Sequence, residues 1–331
     1  MLLQDGQFEA AICGAIVRRM ILASKKRIRQ IVRNVFLILV ALVAVFFLVV
    51  IPWFFTHLIT YGHFHYPDPN DGKTPLSYGM NFRWVDFHSP DGIVLRGWYV
   101  PASGQPRGTI VYCHGLNRTR VEMLPDAQFG HSLGYDGLLF DFRHEGQSGG
   151  KITTLGYQER LDVEGAVRYA LQDLNAARPV ILWGVSMGAA AALMAAAESP
   201  DVDAVISDSS FLSFSHTIQH HLKLFLGLPP FPLAYEIEYW VAWRGHFWPS
   251  DFNLEKAVER IGDRPILFVA VNGDRRMPPS VAERLYAHAQ SPLKRIIVLR
   301  GNRHGEGFNQ DSEPYERAVK EFFASLPQTS K

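Results

Sequence analysis

Five residues, Gly184-Val185-Ser186-Met187-Gly188, constrain this chain more than any others. An apolar run, Val180-Ile181-Leu182-Trp183, leads into them and an Ala-rich stretch, Ala189 to Glu198, leads out. That context is a strand turning sharply into a helix. A serine on so tight a turn has unfavourable backbone angles and crowded neighbours two residues to either side, so both flanking positions need glycine or something nearly as small. The hydroxyl stays exposed above a sheet, and the helix N-terminus beneath it favours developing negative charge. With 27 glycines and 19 serines in 331 residues, chance supplies roughly 0.13 such patterns per chain. The placement between strand and helix, more than the pattern, makes Ser186 the candidate nucleophile.

Around this turn the chain alternates short apolar strands with amphipathic helices. The strands are expected at Thr109–Cys113, Gly137–Asp141, Val180–Trp183, Ala204–Ser207, Pro265–Ala270 and Arg295–Leu299. The helices are expected at Val121–Ser132, Tyr157–Leu174, Met187–Glu198, Ser280–Gln290 and Pro314–Ser325. Continuously apolar strands between helices mean a mostly parallel sheet covered on both faces, an α/β fold with its site at the carboxyl ends of the strands. Ahead of it, alternating residues 82–88 and 92–100 flank Ser89-Pro90-Asp91 as a β-hairpin. The alternation breaks from about 210 to 254, an insertion rich in Phe, Tyr and Trp. It reads either as a cap whose apolar underside receives an acyl chain or whose rim touches the bilayer, or as a small satellite core.

Serine chemistry needs a base for the hydroxyl proton, an acid to orient that base, and donors for the oxyanion. His304 lies in the loop after the last strand and Asp274 just past the strand before it, so the chain order is Ser186, Asp274, His304. Asp208, at the end of the strand after the elbow, is the rival acid. His114, in His114-Gly115-Leu116-Asn117, reads as a structural member of its turn. The backbone N–H groups of Leu116 and Met187 are the expected oxyanion donors, with Asn117 a lesser candidate. This chemistry calls for no metal or organic cofactor.

Seven cations between Arg18 and Arg33 precede an uncharged apolar run from Val35 to Phe55. As a helix that run spans roughly 32 Å, matching a hydrocarbon core of about 30 Å. The asymmetry of charge puts the N-terminus in the cytoplasm and everything past Phe55 outside, with Trp53, Phe54 and Tyr61 at the outer interface. Residues 1–33 thus read as a basic tail, 34–56 as a transmembrane helix, 57–78 as a Pro/Gly/Asn-rich connector and 79–328 as the catalytic domain. Cys13 and Cys113 fall on opposite sides of the bilayer and cannot pair within one chain. A glycan on the Asn117-Arg118-Thr119 acceptor would obstruct the site loop, which favours the periplasmic face of a bacterial inner membrane. A formal net charge of +1 argues against a nucleic-acid partner. The bilayer and a small or lipid-like acyl ester remain the expected partners.

The chain resembles the α/β-hydrolases of the Bem46-like and serine aminopeptidase-like branches, which include membrane-anchored bacterial members. The resemblance covers about Tyr78 to Leu326. It rests on Asp91-Gly92-Ile93-Val94-Leu95-Arg96-Gly97-Trp98, His114-Gly115, Asp141-Phe142-Arg143 with Gly146-Gln147-Ser148-Gly149, the elbow, Asp274-Arg275-Arg276-Met277-Pro278, and His304. It implies an α/β-hydrolase fold with a Ser-His-Asp triad. It leaves open whether the substrate is an ester, thioester or peptide. A silent hydrolase fold serving as an interaction module is the alternative of another class. Two positions depart from the family pattern. His144 stands where a glycine commonly follows the arginine, and Val271 where a glycine commonly lies three residues before the acid.

Overall fold

Short runs rich in β-branched, aromatic and other apolar residues make poor surface and good sheet interior. In the computed structural model, which describes residues 2–327, they form one eight-stranded sheet. Its strands are β1 (Arg83–His88), β2 (Val94–Val100), β3 (Thr109–Cys113), β4 (Asp136–Phe140), β5 (Val180–Val185), β6 (Ala204–Asp208), β7 (Ile266–Val271) and β8 (Arg295–Leu299). The spatial order is β1-β2-β4-β3-β5-β6-β7-β8. The hairpin β1–β2 and the pair β2–β4 are antiparallel, and every pairing from β3 and β4 through β8 is parallel. The hairpin turn is closed by Ser89 N–H donating to Ile93 O at 3.0 Å.

The period of two in each strand divides the core into two layers. On one face Val111, Leu138, Phe140, Leu182, Val205 and Phe268 pack against helices α4 (Glu159–Gln172), α5 (Met187–Glu198), α8 (Leu254–Ile261) and α9 (Pro279–His288). On the other Tyr112, Leu139, Trp183, Ile206 and Val269 pack against α3 (Leu124–Ser132) and α10 (Ser312–Ser325). Helix α5 is buried from Met187 to Ala196 because its alanines let neighbouring helices and strands approach closely on every side. The insertion supplies α6 (Phe214–Leu226) and α7 (Leu233–Arg244), which pair with each other and share core residues with the sheet layer beneath. Neither helix was expected from the sequence: large apolar residues face several sides of α7, while α6 keeps a helical period, with Phe214, Ile218 and Leu222 buried four residues apart.

The chain divides into two compact units at the step from Phe54 to Phe55. The first is helix α1 (Leu2–Val45), a π-helical turn (Phe46–Val50) and the start of α2 (Ile51–Tyr61). Within it the side chains from Val35 to Val50 are all exposed. The helical stretch Cys13–Tyr61 is long and apolar enough to cross a membrane, with a mean hydropathy of 3.3 over its most apolar window. The second unit begins with the last turns of α2 and holds the sheet.

Candidate active site

The elbow forms because β5 ends where α5 must begin. Ser186 sits at φ 55° and ψ −115°, between a strand residue and the first residue of a helix. A side chain at Gly184 would collide with the Gly188 backbone, and one at Gly188 with the carbonyl of Cys113. These glycines let β5, α5 and the end of β3 pass through one another's van der Waals shells. The strained turn is held by Ser186 N–H donating to Asp208 O at 2.9 Å.

Two more loops leave the same sheet edge. The segment after β7 and the segment after β8 stay paired: Asn272 N–H donates to Leu299 O and Gly273 N–H to Gly301 O, both at 2.9 Å. Their approach is so close that a Cβ on Gly273 would lie 2.7 Å from Gly301 O. This zipped pair carries Asp274 on one arm and His304 on the other. His304 Nδ1 lies 2.7 Å from Asp274 Oδ2, and its Nε2 lies 2.7 Å from Ser186 Oγ. The other oxygen of Asp274 accepts from Arg276 N–H at 2.8 Å and Met277 N–H at 3.0 Å. Burial pushes the Asp274 carboxyl up, but hydrogen bonding and charge from His304 and the two backbone donors outweigh it and hold the group below its usual range. An ionised carboxylate only accepts, so the proton of the neutral imidazole sits on Nδ1 and the Nε2 lone pair faces the hydroxyl.

The structure therefore brings Ser186, Asp274 and His304 together. The rival acid is engaged elsewhere. Asp208 accepts from Ser209 Oγ at 2.8 Å, and burial pushes its carboxyl up to about 6. His114 is fully buried with both ring nitrogens used. Nδ1 lies 2.8 Å from Gly115 O, and Nε2 accepts from Phe142 N–H at 3.0 Å. Burial lowers its pKa, so it stays neutral and shapes its turn.

The loop after β3 passes close to the elbow, where a Cβ added at Gly115 would lie 3.7 Å from that of Ser186. Sequence reasoning missed what holds this loop. Gly115 N–H donates to Glu122 Oε2 at 2.6 Å, and Asn117 N–H donates to Glu145 Oε1 at 2.9 Å. Between them Leu116 N–H takes no acceptor among the described residues. Met187 is the first residue of α5, where helix geometry leaves the N–H without an intrahelical acceptor. Burial pushes Glu122 up to about 7 and Glu145 up to about 8. No local pattern marks either glutamate, because one lies in a turn before α3 and the other in a glycine-rich loop, and only the fold converges them.

The two unusual positions have local explanations. Val271 ends β7, and its methyls fill the space that Gly301 and Gly307 leave open. His144 adopts φ 65° and stacks edge-on against His63 at 5.2 Å, so the residue in place of a glycine anchors the chain that follows α2.

Beside Ser186 lies a cavity of about 370 Å³. Its floor is Ser186, Met187 and Leu116. Its walls come from α6, from Phe211, Ile237 and Met277, and from the chain between Phe55 and Tyr66. Among the described residues, no group of three or more His, Cys, Asp or Glu side chains is arranged to hold a metal ion.

A strained serine after the fifth strand, a histidine after the last and a parallel sheet wrapped on both faces define a protein of the α/β-hydrolase fold. A family model described as alpha/beta hydrolase fold matches residues 108–230. The chain is 28% identical over 237 residues to the uncharacterized protein YqkD of Bacillus subtilis, covering 71% of this chain and 77% of that one. It is 24% identical over 256 residues to the uncharacterized membrane protein YNL320W of Saccharomyces cerevisiae, covering 76% of this chain and 83% of that one. Among solved structures, the Pyrococcus furiosus esterase Pf2001 superposes with a TM-score of 0.66 at 22% identity, over 80% of this chain and 98% of the esterase. The chain is a hydrolase-fold protein structurally close to esterases.

Proposed function

We propose that this protein is a single-pass, membrane-anchored serine hydrolase that cleaves ester or related acyl bonds, with hydrophobic acyl groups favoured. Ser186 Oγ attacks the acyl carbonyl while His304 Nε2 takes its proton. Asp274 holds the imidazole and balances the imidazolium charge. The N–H groups of Leu116 and Met187 receive the oxyanion. The alcohol leaves with the proton from His304, and water deprotonated by the same nitrogen attacks the acyl-enzyme, releasing the acid and restoring Ser186. The observation that carries this reading is the unbroken pair of 2.7 Å hydrogen bonds from Asp274 through His304 to Ser186. In this reading the basic N-terminal tail faces the cytoplasm and the hydrolase unit lies outside it, on the periplasmic side in a bacterium.

A fluorophosphonate probe tests it directly. The full chain in detergent is expected to label covalently and to hydrolyse p-nitrophenyl esters, and Ser186→Ala to do neither. Labelling that persists in Ser186→Ala would refute the nucleophile, and absence of labelling in the folded wild type would favour a silent interaction module.

A further inference from the structure

One wall of the cavity beside Ser186 is made by the residues directly after the apolar N-terminal run, which pack against the core of the hydrolase unit. We propose that this wall makes the cavity a portal through which a long acyl chain passes from the bilayer to Ser186, so that the substrates are membrane-resident acyl esters; the inference rests on the hydrolase reading above.

Four observations converge. The first is placement. Phe55 ends the uncharged run, and Leu58 and Ile59 follow within about 6 Å along the helix axis; all three line the cavity that also contains Ser186. A wall so few residues past a membrane-spanning run lies at headgroup depth by chain length alone.

The second is chemistry. The cavity surface is overwhelmingly apolar, and its rim is apolar too: Leu58, Phe225 and Leu226 line it while remaining 39%, 64% and 48% exposed. A mouth that met only water would leave these side chains hydrated at a cost, whereas lipid removes that cost and delivers a ligand of the same character. Burial pushes His221, at the same wall, down to about 4, so it faces the cavity uncharged.

The third is rigidity. The segment is bonded in place at several points. Thr153 N–H donates to Thr60 O at 3.0 Å, Arg244 Nη1 to Thr60 Oγ1 at 2.9 Å and Tyr66 N–H to Asn117 O at 2.9 Å. Arg118 Nη1 donates to Tyr66 O at 3.2 Å and to Pro67 O at 2.8 Å. Asn117 and Arg118 continue the loop that carries Leu116, so the wall and the expected oxyanion donor share one framework.

The fourth is the neighbouring surface. Arg244 ends α7, whose Tyr239 and Trp243 are 57% and 68% exposed. Rings with one polar edge are the side chains that settle at a membrane interface. Helix α7 is tied through Arg244 to Thr60, five positions past Phe55.

The test uses the full chain in phosphatidylcholine–phosphatidylglycerol vesicles with 4-methylumbelliferyl esters from acetate to palmitate. The kcat/KM ratio of palmitate to acetate is expected to be at least about 100, the worth of only about three or four methylenes buried at about 0.8 kcal/mol each. Leu58→Asp and Phe225→Asp place a charge at exposed rim positions and are expected to lower that ratio about tenfold or more. A second measurement needs no variant: palmitate ester embedded in the same vesicles as the protein should be cleaved at least about tenfold faster than ester held in separate vesicles, since buried chains leave a bilayer slowly. A flat chain-length profile, or equal rates in the two vesicle arrangements, with Ser186 still labelled by a fluorophosphonate, would overturn the portal and leave the hydrolase standing. Loss of that labelling in wild type would overturn both.

Discussion

Two regions meet at Ser186, and they are held by different forces. Below it, every loop is fixed by backbone hydrogen bonds: the elbow to β6, the Asp274 arm to the His304 arm, and Gly115 and Asn117 to the carboxylates of Glu122 and Glu145. Above it, α6 and the chain from Phe55 to Tyr66 present apolar side chains, with a few hydrogen bonds at the margins. Bond-making chemistry needs partners placed to a fraction of an ångström, and directional bonds to a rigid sheet supply that. Accommodating a flexible apolar group needs only volume and the exclusion of water, which side-chain contact supplies. In the proposed reading the floor sets rate and the roof sets selectivity.

The sharpest way to break this division is at the floor. Ser186→Ala and His304→Ala are each expected to lower kcat by about 10⁶-fold, since members of such a unit fail together. Hydrolysis of p-nitrophenyl butyrate over several hours would detect a residue retaining more than that. Asp274→Asn comes next, at about 10⁴-fold in kcat, because an amide offers its N–H to Nδ1 and fixes the wrong tautomer. Asp208→Asn is its control. Asp208 bonds Ser209 and not His304, so kcat should change only a few-fold, and a loss matching that of Asp274→Asn would transfer the acid's role to Asp208.

Much of the floor was readable from sequence because its residues sit next to elements whose periods are strong. Val180 to Glu198 announces strand, turn and helix in nineteen residues, Asp274 follows a buried apolar strand and His304 a half-exposed apolar edge strand. Glu122 and Glu145 were not readable, since a carboxylate tied to a backbone N–H seven or 28 positions away leaves no periodic trace. The roof was half readable. An excess of aromatic residues from 210 to 254 marked an insertion, but α7 carries large apolar residues on exposed as well as buried sides, which blurs its helical period, whereas α6 keeps one, with Phe214, Ile218 and Leu222 buried four residues apart. That Phe55 to Tyr66 forms a wall of the cavity was invisible, because a connector's sequence does not say which surface it crosses.

Smaller effects are expected where the floor is braced. Glu145→Ala frees Asn117 N–H and should lower kcat about tenfold to a hundredfold with little change in KM, the signature of a loop displaced by an ångström or less. Steady-state kinetics on a short-chain ester, where the roof contributes least, separates the two parameters. An effect confined to KM would move the loop from the chemistry to substrate binding.

The smallest expected change is in stability, and its sign follows from burial. Glu145 is 4% exposed, and burial pushes its carboxyl from the ordinary 4.5 up to about 8 despite the hydrogen bond from Asn117. A group that binds its proton more tightly folded than unfolded supports the fold fully below pH 4.5. It loses that support as pH rises through 8, at a final cost on the order of 5 kcal/mol. Asp274 has the opposite sign, held low in the fold and stabilising it until acid protonates it. Glu145→Gln keeps an oxygen for Asn117 N–H and cannot ionise. At pH 5, where the native carboxyl is also neutral, the variant should melt with wild type. At pH 8.5 it should melt at least about 5 °C higher, from the usual few degrees per kcal/mol in a domain of this size. Scanning fluorimetry of the full chain in detergent across that range decides it. A shift of equal size at both pH values would mean that the substitution acts through packing, and that Glu145 braces the loop as an ionised group throughout.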